Sequence, residues 1–586
     1  MLSTGATAEN KVRPHKTLPA PLESRLSRLE AGLFTLLFAG LLALRVYYTS
    51  RYRIDSDEPQ HLHVVWGWVH GLLPYRDIFD NHTPLFQFLS APLLWLSGDR
   101  ADGIIWMRWA MVAWQVVTLM AVFKIGAALF SRRTGLWAAV MTGYYPRFFL
   151  ISMEFRPDDL WVALWVVSLW LMLAGKLTLR RAFWCGVVIG ATFTVSLKTT
   201  LLLLSVIVGA MLCVVVMLVA REPVPWSGIL RKAGAALGGM LIFPAIVCLA
   251  FFTAGIWREF FYGTVTHNVM PGMGRWGKVP LLLRWSFPLF IVMALPAGLW
   301  LVRTASSKGM GLRRSMFLFV TGSVVTLLYG YWPLIERETL LAFIPIVLLL
   351  TAAVIVWPVE RVVISRWKIG LPLTSVMPFG LVAWSLMQII EQNPPGKDRT
   401  AAFVQHVDTV LRLTDPNDYV MDAKGESIYR RRPFFYALEP ITEARIRAGL
   451  LADDMPEQMV STRTCVATLN RLQGKDRSFV TNNYIHVTGS VLVVGRWIKR
   501  GLDATDFDNE IATRYTLMAK QGPVSGTVDG QVFNGSFYLT RGPHQIKINK
   551  AKGKVALIWA QAVERGGSPF GDFDADVHCG LNVDDT

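Results

Sequence analysis

The sequence predicts a polytopic α-helical membrane protein with a soluble C-terminal domain, α/β at first and β-rich toward its end. Three observations carry this. Of the 586 residues, 53% are hydrophobic and only 17% charged, against roughly 25% charged in an average soluble protein. The apolar residues fall in blocks near the ~20-residue length that crosses a bilayer as a helix. At Asn393-Pro394-Pro395-Gly396 the blocks stop and an ordinary mixed sequence begins. The same composition excludes disorder, a collagen-like chain and a small disulfide scaffold.

The first thirty residues are polar, with Lys11, Arg13, Lys16, Arg25 and Arg28, and their prolines argue against a long helix. Residues 33–48 are apolar apart from Arg45, with no small-residue cleavage site after them, so they read as a retained anchor. Further spans are predicted near 105–130, 136–152, 160–174, 182–197, 199–220, 233–256, 286–302, 315–332, 339–357 and 370–390, which makes about eleven transmembrane helices. The connecting segments alternate in basicity: one set holds twenty Lys and Arg, the other eleven over more residues. Basic loops stay in the cytoplasm, which places the N-terminus there and, after an odd number of spans, the tail outside. A single helix over 182–220 would put three basic clusters outside, which disfavours it. The net charge of +17 is therefore a topology signal rather than a nucleic-acid one. With no eukaryotic targeting phrase, a bacterial inner membrane with a periplasmic tail is expected.

Three regions follow: a cytoplasmic segment 1–30, a transmembrane domain 31–390 and an extracytoplasmic domain 391–586. The last divides into an α/β part, 391–512, and a β-rich part, 513–586. In the first part a helix over 400–414 and strands at 419–422, 461–469 and 491–494 are predicted. Cys185, Cys213 and Cys248 fall in spans, where they act as small apolar residues. Cys465 and Cys579 share the outer compartment, where a disulfide between them is permitted. The glycine-rich stretch 272–277 reads as an outer connector.

The informative stretch follows the first span: Asp55-Ser56-Asp57-Glu58-Pro59-Gln60-His61-Leu62-His63, then Gly71-Leu72-Leu73-Pro74-Tyr75-Arg76-Asp77-Ile78-Phe79-Asp80-Asn81-His82-Thr83-Pro84-Leu85. Charged groups so near a membrane are costly unless they face water or serve a function. Between the two polar clusters, Trp66 and Trp68 suggest a helix lying along the membrane surface. Three readings stand side by side: a solvated loop, a metal site using Asp57 and His61 on one helix face, and a catalytic carboxylate at the membrane surface. The spacing of the two histidines and Pro59 within the run argue against the metal.

These phrases resemble the GT-C membrane glycosyltransferases, and more narrowly the branch of protein O-mannosyltransferases and lipid A aminoarabinose transferases. In that branch an acidic pair after the first span is followed by a G-x-x-PY-x-D-x-x-D-x-x-PPL phrase; here Thr83 replaces a first Pro. Glu154-Phe155-Arg156-Pro157-Asp158-Asp159-Leu160 is similar to the acidic segment of the family's second outer loop. Lys198, alone between two apolar runs, matches a family lysine. Glu336-Arg337-Glu338-Thr339-Leu340…Pro345 resembles the family's R/K-x-x-Y-L-x-P phrase, departing from it at Thr339 and Leu340. The resemblance covers residues 30–360.

The resemblance implies an inverting transfer of one hexosyl or pentosyl unit from a polyprenyl-phosphate donor to a lipid, glycan or protein acceptor. It points to Asp57 as general base, with Glu58 and Asp158 as further catalytic candidates. A departing lipid phosphate needs cations more than an acid, so Lys198, Arg337 and Arg156 are the expected phosphate partners. His61, Tyr75, Arg76, Asp77, Asp80, Asn81, His82 and Asp159 are expected to bind substrate. No cofactor is required and no metal is assigned, though a divalent ion suits some relatives. Alternatives are a lipid-linked-sugar transporter or carrier-binding protein, which does not need the acidic pair, and a surface scaffold, which leaves ten spans unexplained.

Overall fold

In a computed structural model the protein is described over residues 26–274, 278–367, 370–498, 504–571, 573 and 581–582. The polar segment up to residue 25, part of the 272–277 connector and Cys579, the proposed partner of Cys465, lie outside these residues. The first two thirds of the chain are helical: α1 (Arg28–Thr49), α2 (Asp57–Val69), α3 (Leu85–Ser97), α4 (Gly103–Leu129), α5 (Arg132–Tyr144), α6 (Pro146–Ile151), α7 (Pro157–Leu173), α8 (Leu179–Val195), α9 (Thr199–Val219), α10 (Trp226–Met240), α11 (Ile242–Thr253), α12 (Trp257–Phe261), α13 (Leu281–Thr304), α14 (Lys308–Tyr331), α15 (Ile344–Trp367) and α16 (Gly370–Gln392). The tail adds α17 (Ala401–Leu413), α18 (Pro440–Arg447), α19 (Met455–Ser461), α20 (Gly474–Asn483) and α21 (Ala560–Glu564).

α1 starts at a capping box in which Ser27 and Glu30 satisfy each other's backbone N–H groups. Its 22 residues span about 33 Å. Arg45, the one charge inside it, turns inward and donates to Gln115 Oε1 at 2.7 Å, the Phe149 carbonyl at 2.8 Å and Ser152 Oγ at 2.5 Å. At the other end of the bundle Arg133 bridges Glu30 at 2.6 Å and Glu360 at 3.0 Å, tying α1, α5 and α15. Buried charges persist in such places because each is paired and hydrogen-bonded.

Among the described residues, six segments are long and apolar enough to cross a membrane: α1, α4, α9, the pair α10–α11, α13 and α14. The remaining five of the eleven predicted spans fall on α5–α6, α7, α8, α15 and α16, which do not reach that combination of length and hydropathy. Proline sets two interruptions. Pro146 forces Tyr145 into an extended conformation (φ −64°, ψ 121°), so the predicted 136–152 span is broken into α5 and α6. Pro244 has no N–H to give Met240, and the 233–256 span divides at Leu241.

The helix predicted to lie along the membrane surface does not do so. α2 is buried from Glu58 to Gly67, because the tail covers it. The exposed apolar surface belongs instead to α3, which the sequence reading left inside a loop; its Phe88, Trp95 and Leu96 are exposed. Thirteen residues make α3 too short to cross, and such a face suits the membrane interface.

The strands are β1 (Ile54–Asp55), β2 (Val420–Met421), β3 (Val466–Ala467), β4 (Tyr484–Thr488), β5 (Val491–Ile498), β6 (Thr505–Asn509), β7 (Thr513–Val528), β8 (Gln531–Val532), β9 (Ser536–Leu539), β10 (Gly542–Trp559) and β11 (Leu581–Asn582). The predicted 461–469 strand is reduced to β3, with α19 occupying its start. The tail's main sheet runs β2-β3-β5-β10-β7-β8, with β4 on β5, β6 on β10 and β9 on β7. β10 is antiparallel to both β5 and β7, so one sheet runs through the expected division near residue 512.

The tail is docked, not merely tethered. Tyr48 Oη donates to the Asn393 carbonyl at 2.7 Å, and the Arg399 N–H donates to the Arg51 carbonyl at 3.0 Å. β11 adds a parallel partner to β1, between α1 and α2. Phe403, Val407, Ile428, Tyr429 and Leu581 of the tail join the same buried apolar cluster as the transmembrane helices.

Candidate active site

α1 ends at Thr49, and the chain must turn sharply to enter α2. Arg108 of α4 fixes that turn. Its guanidinium donates to the carbonyls of Tyr52 at 2.9 Å and Arg53 at 2.6 Å and forms a two-pronged pair with Glu58 at 2.7 and 2.5 Å. Glu58 also accepts from the Asp55 N–H at 2.9 Å and the Phe155 N–H at 2.7 Å, and its side chain is fully buried. Both oxygens are committed, so the geometry makes Glu58 a fixing point between the segment after α1 and the segment before α7 and leaves it no open face for a substrate.

Arg156 is the centre of the site. It stands just before Pro157, the first residue of α7, and lies within 4 Å of five carboxylates. Nη1 reaches Asp55 at 2.9 Å and Glu154 at 3.7 Å; Nη2 reaches Glu338 at 2.6 Å and Asp57 at 2.8 Å; Nε is 3.5 Å from Asp158. Asp158 continues outward to Lys198 Nζ at 3.3 Å. Asp57, Asp158, Arg156 and Lys198, predicted from three separate sequence signals, therefore meet in one network, joined by Asp55, Glu154 and Glu338. Of the five carboxylates on Arg156, Asp57 is the most accessible, with 27% of its side chain exposed against 10% or less for the others.

The second partner of Asp57 comes from the tail. Lys424 Nζ, buried, pairs with Asp57 Oδ1. Lys424 sits in a turn after β2 in which Asp422 accepts from the Gly425 N–H at 2.6 Å and the Ser427 N–H at 2.8 Å. Gly425 has φ +89°, and a Cβ there would stand 2.8 Å from the Cβ of His63, so only glycine lets this turn press onto α2. His63 Nδ1 bonds the Ile428 carbonyl at 2.7 Å, and Arg471 donates to Ser56 Oγ at 2.8 Å. The sequence predicts only a strand at 419–422 here; nothing local in Asp422-Ala-Lys-Gly-Glu426 marks Lys424 as a site residue.

The electrostatics follow from these contacts. Burial alone raises a carboxyl pKa, but Lys424 and Arg156 outweigh it and hold Asp57 well below the usual carboxylate range. Burial, and Asp55 beside it, push Glu154 well above that range. Glu336 is raised to about 7 by burial and by Glu338, against the pull of Lys198.

The other predicted substrate residues divide into three groups. His61 and His82 lie beside the network, ring to ring at 4.6 Å. Burial, then His82, depresses His61 well below 6.5, whereas Asp80, 3.1 Å from His82 Nδ1, raises His82 despite its burial. Asp80 and Asn81 shape the loop. Asp80 accepts from the His82 N–H at 2.9 Å and Gln87 Nε2 at 3.0 Å, and Asn81 Nδ2 donates to Glu439 of the tail at 2.6 Å. Tyr75, Arg76 and Asp77 do not face the network. Tyr75 is a buried pin at φ +68°, packed on Phe251 and Phe260 and donating to the His82 carbonyl at 2.7 Å. Arg76 and Asp77 pair with each other at 2.8 Å near the surface. Asp159 is buried, within the field of Arg45 rather than on Arg156. Arg337, grouped with Lys198 by sequence, lines a separate cavity with Arg53, Arg147 and Arg399.

Among the described residues no group of three His, Cys, Asp or Glu is placed to hold a metal ion, and Asp57, Asp158 and Glu338 are engaged by Arg156, Lys198 and Lys424.

In fold the chain is similar to ArnT from Cupriavidus metallidurans bound to undecaprenyl phosphate, with a TM-score of 0.53 at 12% identity, covering 79% of this chain and 98% of that one. The apo state of the same protein gives 0.53 at 11% identity over 79% and 98%. The apo oligosaccharyltransferase of Archaeoglobus fulgidus scores 0.45 at 10% identity, over 78% and 72%. No curated protein matches the chain in sequence. Fold and sequence together support one class, a GT-C superfamily membrane glycosyltransferase. Within that class, residues 81–251 match the model of the dolichyl-phosphate-mannose-protein mannosyltransferase family. The matched segment spans α3 to most of α11 and leaves out Asp57 and the tail.

If Glu58 is a fixing point, replacing it must cost stability before it costs chemistry. Breaking a buried ion pair from one side costs about 3–5 kcal/mol, mostly from the charge left behind. Glu58→Ala is expected to lower the thermal unfolding midpoint of the detergent-solubilised protein strongly, and Glu58→Leu with Arg108→Met to recover part of it. A Glu58→Ala protein as stable as the wild type but inactive would instead make Glu58 catalytic.

Proposed function

We propose that this protein transfers a single sugar from a polyprenyl-phosphate donor to an acceptor at the outer face of a membrane, with inversion at the anomeric carbon and Asp57 as the base. The observation that carries this is the position of Asp57: the most accessible acid on Arg156, one carboxylate away from Lys198, in a fold shared with a protein solved with undecaprenyl phosphate. The N-terminus is assigned to the cytoplasm and the tail to the outer side, in a bacterial inner membrane.

A donor held by its prenyl chain presents its phosphate at the interface. Lys198, only 27% of whose side chain is exposed, offers an ammonium there as a point charge, and His82 is the adjacent imidazole with a raised pKa. A phosphate on Lys198 competes with Asp158 for the same ammonium. The leaving phosphate is already a stable anion, so these cations stabilise it as the anomeric carbon–oxygen bond breaks. The acceptor hydroxyl attacks from the opposite face and gives its proton to Asp57 Oδ. A strongly electrophilic, oxocarbenium-like carbon needs only a weak base, which suits a carboxylate of low pKa. Arg156 keeps Asp57 ionised and oriented, and Lys424 does the same from the tail. Water is excluded by the docking of the tail over α2.

The direct test is purified wild type against Asp57→Asn, with a panel of polyprenyl-phosphate sugars and cell-envelope extract as acceptor, scoring free polyprenyl phosphate. Removing a general base typically costs 10²–10⁴-fold. The expected outcome is that loss in turnover with donor binding kept. Equal turnover removes Asp57 from the mechanism, and donor binding without turnover by either protein favours a carrier-binding or transport role.

The pH profile separates Asp57 from its rival Glu336. A base acts only when deprotonated, so activity falls as pH drops through its pKa. Asp57 lies well below the usual carboxylate range, so kcat/KM should run flat from pH 8 to pH 5. An acid limb centred near pH 7 that vanishes in Glu336→Gln would assign the base to Glu336, whose pKa is about 7.

A further inference from the structure

A cavity of about 490 Å³ lies where the tail meets α2 and the loop that follows it. That size suits a small molecule or one end of a larger one. Rings form much of its wall: Trp66 and Phe79 from the helical domain, Phe434 and Phe435 from the tail. Phe79 meets Phe435 edge to face at 5.7 Å. Among the rings stand the amides of Gln60 and Gln458, the hydroxyl of Thr462 and the carboxylate of Asp77. The Gln60 side chain is buried, and its Nε2 has no hydrogen-bond partner among the described residues. Such a group is costly unless a ligand or water bonds it.

The charges of the wall are already matched. Lys424 pairs with Asp57, Arg432 with Asp422 at 3.0 Å, and the exposed Arg431 shares the wall with Asp77. The cavity therefore selects neither an anion nor a cation. The backbone around it also bonds to itself. The Val420 N–H donates to the Arg431 carbonyl at 2.9 Å and the Leu438 N–H to the Ala423 carbonyl at 2.7 Å. Arg432 takes the carbonyls of Asp422, Ala423 and Tyr436. A peptide recognised by strand addition needs an open edge, whereas a sugar needs only side chains. An uncharged sugar ring lays its C–H faces on aromatic rings and offers its hydroxyls, each both donor and acceptor, to amides and acids.

We propose that this cavity holds an uncharged sugar unit of the acceptor, which makes the acceptor a glycan or a glycan-bearing molecule. Lys424 joins the cavity to the network, because it lies on the cavity wall and on Asp57. Gln60 follows Asp57 on the same face of α2, roughly 4.5 Å along the helix axis. A sugar seated there stands beside the base. Its hydroxyl oxygen forms the new bond to the anomeric carbon, its proton passes to Asp57, and the donor leaves as polyprenyl phosphate. The acceptor role rests on the transferase reading; the affinity for a sugar does not.

The test uses the full chain in nanodiscs without donor and reads binding by saturation-transfer NMR. The probes are uncharged trisaccharides of glucose, mannose and N-acetylglucosamine, and an uncharged Ser/Thr heptapeptide. The variants are Phe435→Ala, Phe435→Tyr as its conservative companion, and Trp497→Ala, which removes an exposed ring on β5. Wild type is expected to bind at least one trisaccharide more tightly than the peptide. Phe435→Ala should bind it about tenfold more weakly, with Phe435→Tyr and Trp497→Ala within about twofold of wild type. In the turnover assay with envelope extract, Phe435→Ala should raise the extract concentration for half-maximal release more than it lowers maximal release. The proposal is overturned if wild type binds no trisaccharide, if Phe435→Ala binds as wild type does, or if Trp497→Ala abolishes the binding. Preference for the peptide overturns it in favour of a protein acceptor. Sugar binding as expected without any turnover overturns the transferase reading, and the acceptor role with it, but leaves the sugar site standing.

Discussion

The junction between the helical domain and the tail depends on Arg156. Five carboxylates within 4 Å would repel one another, and most would take up protons, without a central charge that cannot be lost. Because a guanidinium has five donors in a fixed plane, it also sets where each acid points. The segment after α1 supplies Asp55 and Asp57, the segment before and at the start of α7 supplies Glu154 and Asp158, and a late turn supplies Glu338. One side chain thereby fixes three separate segments against each other. The buried Arg108–Glu58 pair supports it from below by holding the turn that brings Asp57 into place.

The tail finishes what the membrane domain begins. Lys424 supplies the second charge on Asp57, Gly425 permits the close approach to His63, and Glu439 takes the Asn81 amide. A domain placed this way covers Asp57 with residues that lie about 370 positions from it in the chain. A cavity lined by Phe79, Phe434 and Phe435, with Asp77 and Lys424 also on its wall, opens where the tail meets the first loop.

Hydropathy alone placed a helix under every predicted span, because burial in lipid imposes a length and composition that a sequence displays directly. The breaks at Tyr145 and Leu241 were legible in Pro146 and Pro244 once proline was weighed against the span. Asp57, Asp158, Arg156 and Lys198 were legible as charges at outer ends of apolar runs, where nothing but function or pairing tolerates them. α2 looked amphipathic and interfacial because the surface covering it lies more than 350 residues away. Lys424 carried no local signal, because its partner Asp57 is as far away in the chain. Tyr75, Arg76 and Asp77 belong to a recognisable phrase, and the structure gives them different places: a buried ring in a left-handed turn, and a surface pair of which Asp77 also lines the cavity beside Lys424. A motif records which residues recur together and does not say which of them face a ligand.

The most direct test of this account is a structure of the full chain in a lipid nanodisc with a non-transferable polyprenyl-phosphate sugar. The account predicts the donor phosphate on Lys198 and His82, Asp158 released from Lys198, and the anomeric carbon on the Asp57 side with open space for an acceptor behind it. A donor phosphate held elsewhere, with Asp57 still enclosed between Arg156 and Lys424 and no path to the sugar, would contradict it.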